Sequence, residues 1–347
     1  MANRISLHSG SVLNGCPITF EIMPTVLTSK PSFHRVVVNV ICCMSGGNYE
    51  TLRQFEPVLT EGRPIVTDIS SALRTFRDAY EYSAQDVEFP VVKFRLEVFD
   101  EYMTDGEVHP TEPIYYPAVD KTLTTIFGQF SDIARILSTG TRSVQRLSRK
   151  PSSMPQLACV GETLVYAQPY AEPQDLLTSG DMEKPTSVVV DITEEGAQTF
   201  GDVGVYALPS SEAKGRMEFR FINSYGVMES VSVPRSYKQS VPFSNTSYTV
   251  ARRETFNKFS RSIIRKAPTP ETWNFVTDPL DEQWLRWYFF EFLASENVWI
   301  KIGETWLPCK LVLSDDEITL RDDTNTDMRA VSFNVELGIN GSPFVMS

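Results

Sequence analysis

Three histidines, His8, His34 and His109, are all the imidazoles in this 347-residue chain, and they bound the acid–base chemistry it can run near neutral pH. His109 has Asp105 and Glu107 close by in sequence, the parts of an acid–imidazole pair. Its stretch, TDGEVHPTEP, carries a glycine and prolines, so the plainer reading is a loop histidine in water. His8 lies near the start of the chain and His34 opens a strand. A nucleophilic serine elbow, a phosphate-binding loop, a His-Glu-x-x-His zinc site and a dinucleotide fingerprint are all missing from the sequence. The five cysteines, Cys16, Cys42, Cys43, Cys159 and Cys309, are odd in number and scattered. Cys42 and Cys43 fall mid-strand, on opposite faces, where burial keeps thiols inert. A cysteine nucleophile would also need an imidazole and a third group to orient it. The sequence thus predicts a reduced, non-enzymatic protein and assigns no catalytic, cofactor-binding or metal-binding residue.

One acidic stretch, DDTNTDM, needs weighing against that. Asp323, Asn325 and Asp327 alternate as the first ligands of a calcium loop do. The sixth position is Met328, where the sharp turn needs glycine, and the twelfth is Asn334, where a bidentate glutamate belongs. The EF-hand reading fails on both counts. A looser site completed by Asp315 or Asp316 stays open beside the plainer one, a solvated acidic tip.

Basic residues cluster twice, and they form the candidate interaction surface. The first run holds Arg142, Arg146, Arg149 and Lys150; the second, ARRETFNKFSRSIIRK, holds Arg252, Arg253, Lys258, Arg261, Arg265 and Lys266. Phe256 and Phe259 mix with the charges of the second run, as in single-strand nucleic-acid binders. The run suits equally an exposed element whose stems cover apolar surface, or a docking face for an acidic neighbour. A net charge of -12 argues against a general nucleic-acid binder. An acidic chain with basic patches is what complementary self-assembly would use.

The elements that must position these residues read mainly as strands. An apolar fraction of 41% with 22% charged residues allows a folded chain with a sizeable core. No apolar leader is legible at the N-terminus, and no run of about 18 uncharged apolar residues exists to span a membrane. Strands are expected over 17–26, 34–43 and 91–102. In the last, Val92, Phe94, Leu96 and Val98 share one face, opposite Lys93, Arg95, Glu97 and Phe99. Between them a short helix, capped by Asp68 or Ser70, places Leu73, Phe76 and Tyr80 together. Residues 104–118 read as an ordered loop, and 131–140 as a helix capped by Ser131 and closed by Gly140. The basic, Pro-broken stretch 141–155 reads as the domain boundary.

Further strands follow over 163–168, 187–192 and 204–207. A hairpin then pairs Met217, Phe219 and Phe221 with the stretch from Met228, turning at Asn223–Gly226. Residues 277–295 form an aromatic helix capped by Asp278, with Trp284, Tyr288 and Phe292 beside Leu285, Phe289 and Leu293. This stripe could serve as a ligand floor, and core is the plainer reading. Four short strands complete a meander. The expected fold is mainly β (α+β): two antiparallel β-sandwich-like domains, 1–145 and 146–347, each with a helix packed on or inserted in the sheet, the second carrying the aromatic helix 279–295.

Three patterns in order, GQFSDIARILSTG…LSRKP, FRFINSYGVMES and WNFVTDPLDEQWLRWYFFEFLASENVWI…PCKLVLSDDEITL, resemble structural proteins of tailed phages and prophages of gut Bacteroides-type bacteria. The resemblance covers most of the chain in layout and brings no catalytic residue. It implies a virion component of the tail or baseplate region, made in the host cytoplasm and assembled in copies with other virion proteins. The missing apolar run and the net charge of -12 add the expectation of no membrane contact and no specific nucleic acid. Segments 104–118 and 141–155 are then candidate arms. The competing reading is a glycan- or receptor-binding module using Tyr115, Tyr116 or Tyr225. The sequence has no internal repeat of the fibrous kind that receptor-binding tips carry, which favours a scaffold position.

Overall fold

A computed structural model describes residues 4–26, 33–44, 48–55, 63–118, 121–128, 143–175, 182–235, 238–240, 243–250, 261–268, 272–313 and 328–337. The chain is mainly β, with several antiparallel sheets. The predicted helix 131–140 and one of the four short strands expected to close the chain lie outside the described residues.

In the first half, strand Phe33–Met44 runs antiparallel to Val91–Thr104 in register over its whole length, from Phe33 opposite Met103 to Met44 opposite Val92. The alternation in 91–98 is realised: Val92, Phe94, Leu96 and Val98 are buried, and the residues between them are half-buried. A second, three-stranded sheet of Ile5–Ser9, Thr19–Ile22 and Ile65–Asp68 supplies Ile5, Phe20 and Ile22 to the same core. Helix Ser70–Ala79 adds Ala72 and Leu73. Neither expected residue caps it: Ile69 stands at the N-cap with no side-chain cap bond, and Asp68 just before it accepts from the amides of Ser70 (2.9 Å) and Ile18 (3.1 Å). The stretch 104–118 is not a loop. Glu107–Pro110 and Ile114–Tyr116 fold back as strands on Val91–Thr104, because the paired edge satisfies their backbone groups. That removes it as a free arm.

In the second half a seven-stranded antiparallel sheet runs in the order 228–234, 216–222, 298–302, 305–313, 332–337, 272–276, 238–240. Its core is aromatic. Phe219 touches Phe275 and Phe292 at ring-centroid distances of 5.5 Å, and Phe275 stacks on Phe333 at 5.6 Å. Trp284, Trp287 and Tyr288 of the aromatic helix join this cluster. The helix is shorter than predicted and starts later. Its α-helical part is Glu282–Trp287, followed by a π-helical turn, Tyr288–Phe292. The cap is Asp281, which accepts from the Trp284 amide at 2.9 Å. Asp278 is held instead by Arg216, at 2.6 Å. Replacing Asp281 with alanine should therefore cost about 1 kcal/mol in a urea titration, a typical loss for an N-cap.

The halves share a core. Val12, Leu13 and Ile126 from the first pack with Leu147, Val165, Ile222, Val227 and Trp299 in one buried cluster. The stretch expected to be an exposed boundary and arm is part of that seam: Leu147 is fully buried and Lys150 is 1% exposed. A domain linker would leave few contacts across it; residues 147–150 make many.

The predicted hairpin is present, from Arg216–Ile222 to Met228–Pro234. Its turn is built as its residues demand: the Asn223 side-chain oxygen accepts from the Tyr225 and Val227 amides, and Gly226 sits at φ +74°. The strand is buried on both faces. Phe219 and Phe221 enter the aromatic core, while Arg220 lies 4.4 Å from the Trp306 ring centroid and donates to the Ala84 carbonyl at 2.6 Å.

Candidate functional site

Of the residues read as an interaction surface, Arg146, Arg149 and Lys150 come together in a cleft of about 320 Å³, joined there by Arg286, Trp287 and Phe290. Arg142, Arg252, Arg253 and Lys258 lie outside the described residues. Arg261, Arg265 and Lys266 fall on strand Arg261–Pro268, whose backbone pairs with Phe243–Val250 over eight residues; Arg265 stands opposite Thr246. The structure thus gathers the first basic run into a site with the aromatic helix, a partner that no local sequence pattern names.

The cleft's cations are differently placed. Arg146 reaches Asp202 at 2.5 Å and donates to the Lys150 carbonyl at 2.9 Å, with its side chain 47% exposed. Arg286 pairs with Glu282 one turn back at 3.1 Å and is 44% exposed. Arg149 and Lys150 point inward, which corrects their reading as surface groups. Arg149 lies over the Tyr225 ring at 5.1 Å and pairs with Glu291 at 3.3 Å. Lys150 packs its ammonium 5.2 Å from the Trp287 ring centroid and donates to the Ser230 carbonyl at 3.2 Å. Burial pulls the Lys150 pKa down, with Glu229 and Asp202 opposing. A buried ammonium is tolerated because an aromatic face and a carbonyl replace part of its hydration.

Glu291 closes the inner wall. It is 2% exposed and accepts from the Ser224 amide at 2.7 Å, the Ser224 hydroxyl at 2.9 Å and Arg149. Burial raises its pKa; Arg149 and the Ser224 donors act against that rise. It also borders a second cleft, of about 250 Å³, between Arg77, Tyr80 and Tyr82 of the first half and the turn Asn223–Gly226. One carboxylate therefore ties the hairpin turn to the aromatic helix and separates two clefts.

The other chemistry weighed in the sequence is placed as follows. His34 meets Asp100 at 3.3 Å. The carboxylate of Asp100 is fully buried and also takes Arg4, at 2.5 Å, and the Thr25 hydroxyl. His109 packs against Tyr102, with ring centroids 5.7 Å apart. None of the five cysteines is in a disulfide, and all five are buried. Burial pushes Cys42 and Cys309 up to about 12 and Cys159 to about 11. Ellman's reagent at pH 8 should find essentially none of the five thiols in the native chain and all five in guanidinium. Tyr115 donates to Glu97 at 2.8 Å, Tyr116 packs on Phe20, and Tyr225 lies under Arg149. Asp315, Asp316, Asp323, Asn325 and Asp327 lie outside the described residues; among the described residues no group of three or more His, Cys, Asp or Glu is placed to hold a metal ion. No helix among them is long and apolar enough to cross a membrane. No protein-family model, curated protein or solved structure matches the chain.

Sequence reasoning missed three contributors. Arg286 and Glu291 appear in sequence only as polar interruptions of an aromatic stripe, and that interruption was their signal. Asp100 follows Val92, Phe94, Leu96 and Val98 at the same two-residue spacing, so the alternation already places a carboxylate on the buried face.

Proposed function

We propose that this chain is a non-enzymatic structural protein of a bacteriophage virion, a tail or baseplate component that assembles in several copies and with other virion proteins. In this reading its two halves are β-sandwich-like units, each with a helix on its sheet, joined by the shared seam. The observation that carries the proposal is the hairpin of Phe243–Val250 and Arg261–Pro268. Its strands pair with each other and with no other described strand. A two-stranded ribbon on its own is marginal in water, and its two outer backbone edges are templates for another chain. It also carries three of the basic residues singled out above, at Arg261, Arg265 and Lys266. A ribbon of that kind gains its stability by pairing with a neighbouring subunit, as repeated assembly on a symmetric particle supplies. The protein is made in the host cytoplasm and resides in the virion tail, away from membrane and without sequence-specific contact to nucleic acid.

Negative-stain images of the concentrated protein test this. Closed rings or regular strings of subunits are the expected result. Single particles only, together with saturable binding in a glycan screen, would replace it with the receptor-binding reading.

A further inference from the structure

The cleft beside the aromatic helix has an unusual charge balance for this chain. Its walls carry Arg146, Arg149, Lys150 and Arg286 against one carboxylate, Glu291, in a protein whose net charge is -12. Glu291 is already committed to Arg149 and to both donors of Ser224. Arg149 and Lys150 are fixed in the floor beside Tyr225 and Trp287. Arg146 and Arg286, by contrast, stand at the mouth with their side chains nearly half exposed. Exposed ion pairs such as theirs with Asp202 and Glu282 contribute less than about 1 kcal/mol each. Both guanidinium groups retain donors for an incoming anion, and a guanidinium can hold two carboxylates at once through its five N–H groups.

The densest acidic run in the chain is 314–327, SDDEITLRDDTNTD, with six carboxylates and one arginine. We propose that this cleft is the docking site for the acidic stretch 314–327 of a second copy of the chain, with its carboxylates on Arg146 and Arg286. A short acidic peptide fits the site better than a nucleic acid does. It brings a few charges to one basic cleft, whereas a long polyanion would run on over a surface of its own sign. The inference rests on the assembly reading above and names a contact by which that assembly is made.

The test uses the full chain and a dye-labelled synthetic peptide of residues 314–327, followed by fluorescence anisotropy. Saturable binding is expected. It should weaken roughly tenfold or more in the Arg146→Ala/Arg286→Ala double variant, and also between about 50 and 300 mM salt. Both residues are at the surface, and circular dichroism checks that the variant is folded. Hexaglutamate and inorganic phosphate serve as competitors and should need at least tenfold more to displace the peptide. Absence of saturable binding, or binding indifferent to the double variant, overturns the proposal. So does displacement by hexaglutamate or phosphate at equal concentration, which would make the cleft a general acidic-peptide or small-oxyanion site. Light scattering separates this from the parent reading. If wild type and double variant assemble alike, the cleft contact falls and assembly stands; if the wild type is monomeric throughout, assembly falls by itself.

Discussion

Gly226→Ala is expected to remove at least about 3 kcal/mol of stability, among the largest losses a single methyl can cause. Two effects add. The residue sits at φ +74°, where an L side chain costs about 1–2 kcal/mol. The new methyl would also lie 2.6 Å from the Phe127 carbonyl carbon and closer still to its oxygen. That neighbour is backbone from the other half of the chain, so no rotamer can relieve the overlap. The approach is reciprocal: a methyl on Gly128, at φ +150°, would lie 2.5 Å from the Ser224 carbonyl oxygen. The turn and the segment 127–128 are thus pressed together as far as two backbones allow, at the edge of the shared core. Gly106→Ala is the control. Gly106 has φ +87° and, among the described residues, nothing within 4 Å of an added methyl, so only the conformational cost of about 1–2 kcal/mol remains. Urea unfolding of the two variants decides it. Equal losses would mean that the turn does not bear on the first half.

Glu291→Ala should cost about 3 kcal/mol, and Glu291→Gln less than half of that. Alanine leaves the Arg149 guanidinium, 9% exposed, without its carboxylate and the Ser224 amide without its acceptor. Glutamine keeps an acceptor and removes the buried charge. The pH dependence separates the variants further. Burial lifts Glu291 above the ordinary value of 4.5, and it lifts Glu162 the same way. The folded chain therefore holds these protons more tightly than the unfolded chain does. Their contribution is fully present below 4.5 and is lost as pH rises through the raised values. The stability these two groups contribute should decline across that window, and Glu291→Gln should remove the Glu291 part of the decline. Chemical denaturation at a series of pH values from 4 to 8 reads this directly. A decline of the same steepness in both proteins would show that Glu291 does not titrate there.

Much of the sheet was legible because its signals are local. The two-residue alternation from Val92 to Val98, the Asn–Gly turn and the scattered cysteines each act through burial or through their own backbone. The helix start was misplaced by three residues for a non-local reason. Asp278 and Asp281 are both competent caps by type, and only the fold reveals that Arg216, far back in sequence, has taken the first. Lys150 shows the same limit. A basic run interrupted by proline reads as a solvated tether, and its burial depends on the Ser230 carbonyl and the Trp287 ring, which tertiary structure alone brings to it. The candidate site was half visible: its cations stood out against an acidic chain, while the aromatic wall they lean on looked like ordinary core. The folding back of 107–116 follows the same rule, since an edge strand needs a partner edge that sequence does not display.

Assembly of this chain, as proposed, is tested most directly by its mass in solution. Multi-angle light scattering of the purified chain should be recorded across protein concentration and salt. The expected result is a discrete oligomer, or a mass that grows with concentration and falls as salt screens the basic contacts. A mass equal to one chain at every concentration and salt would contradict it.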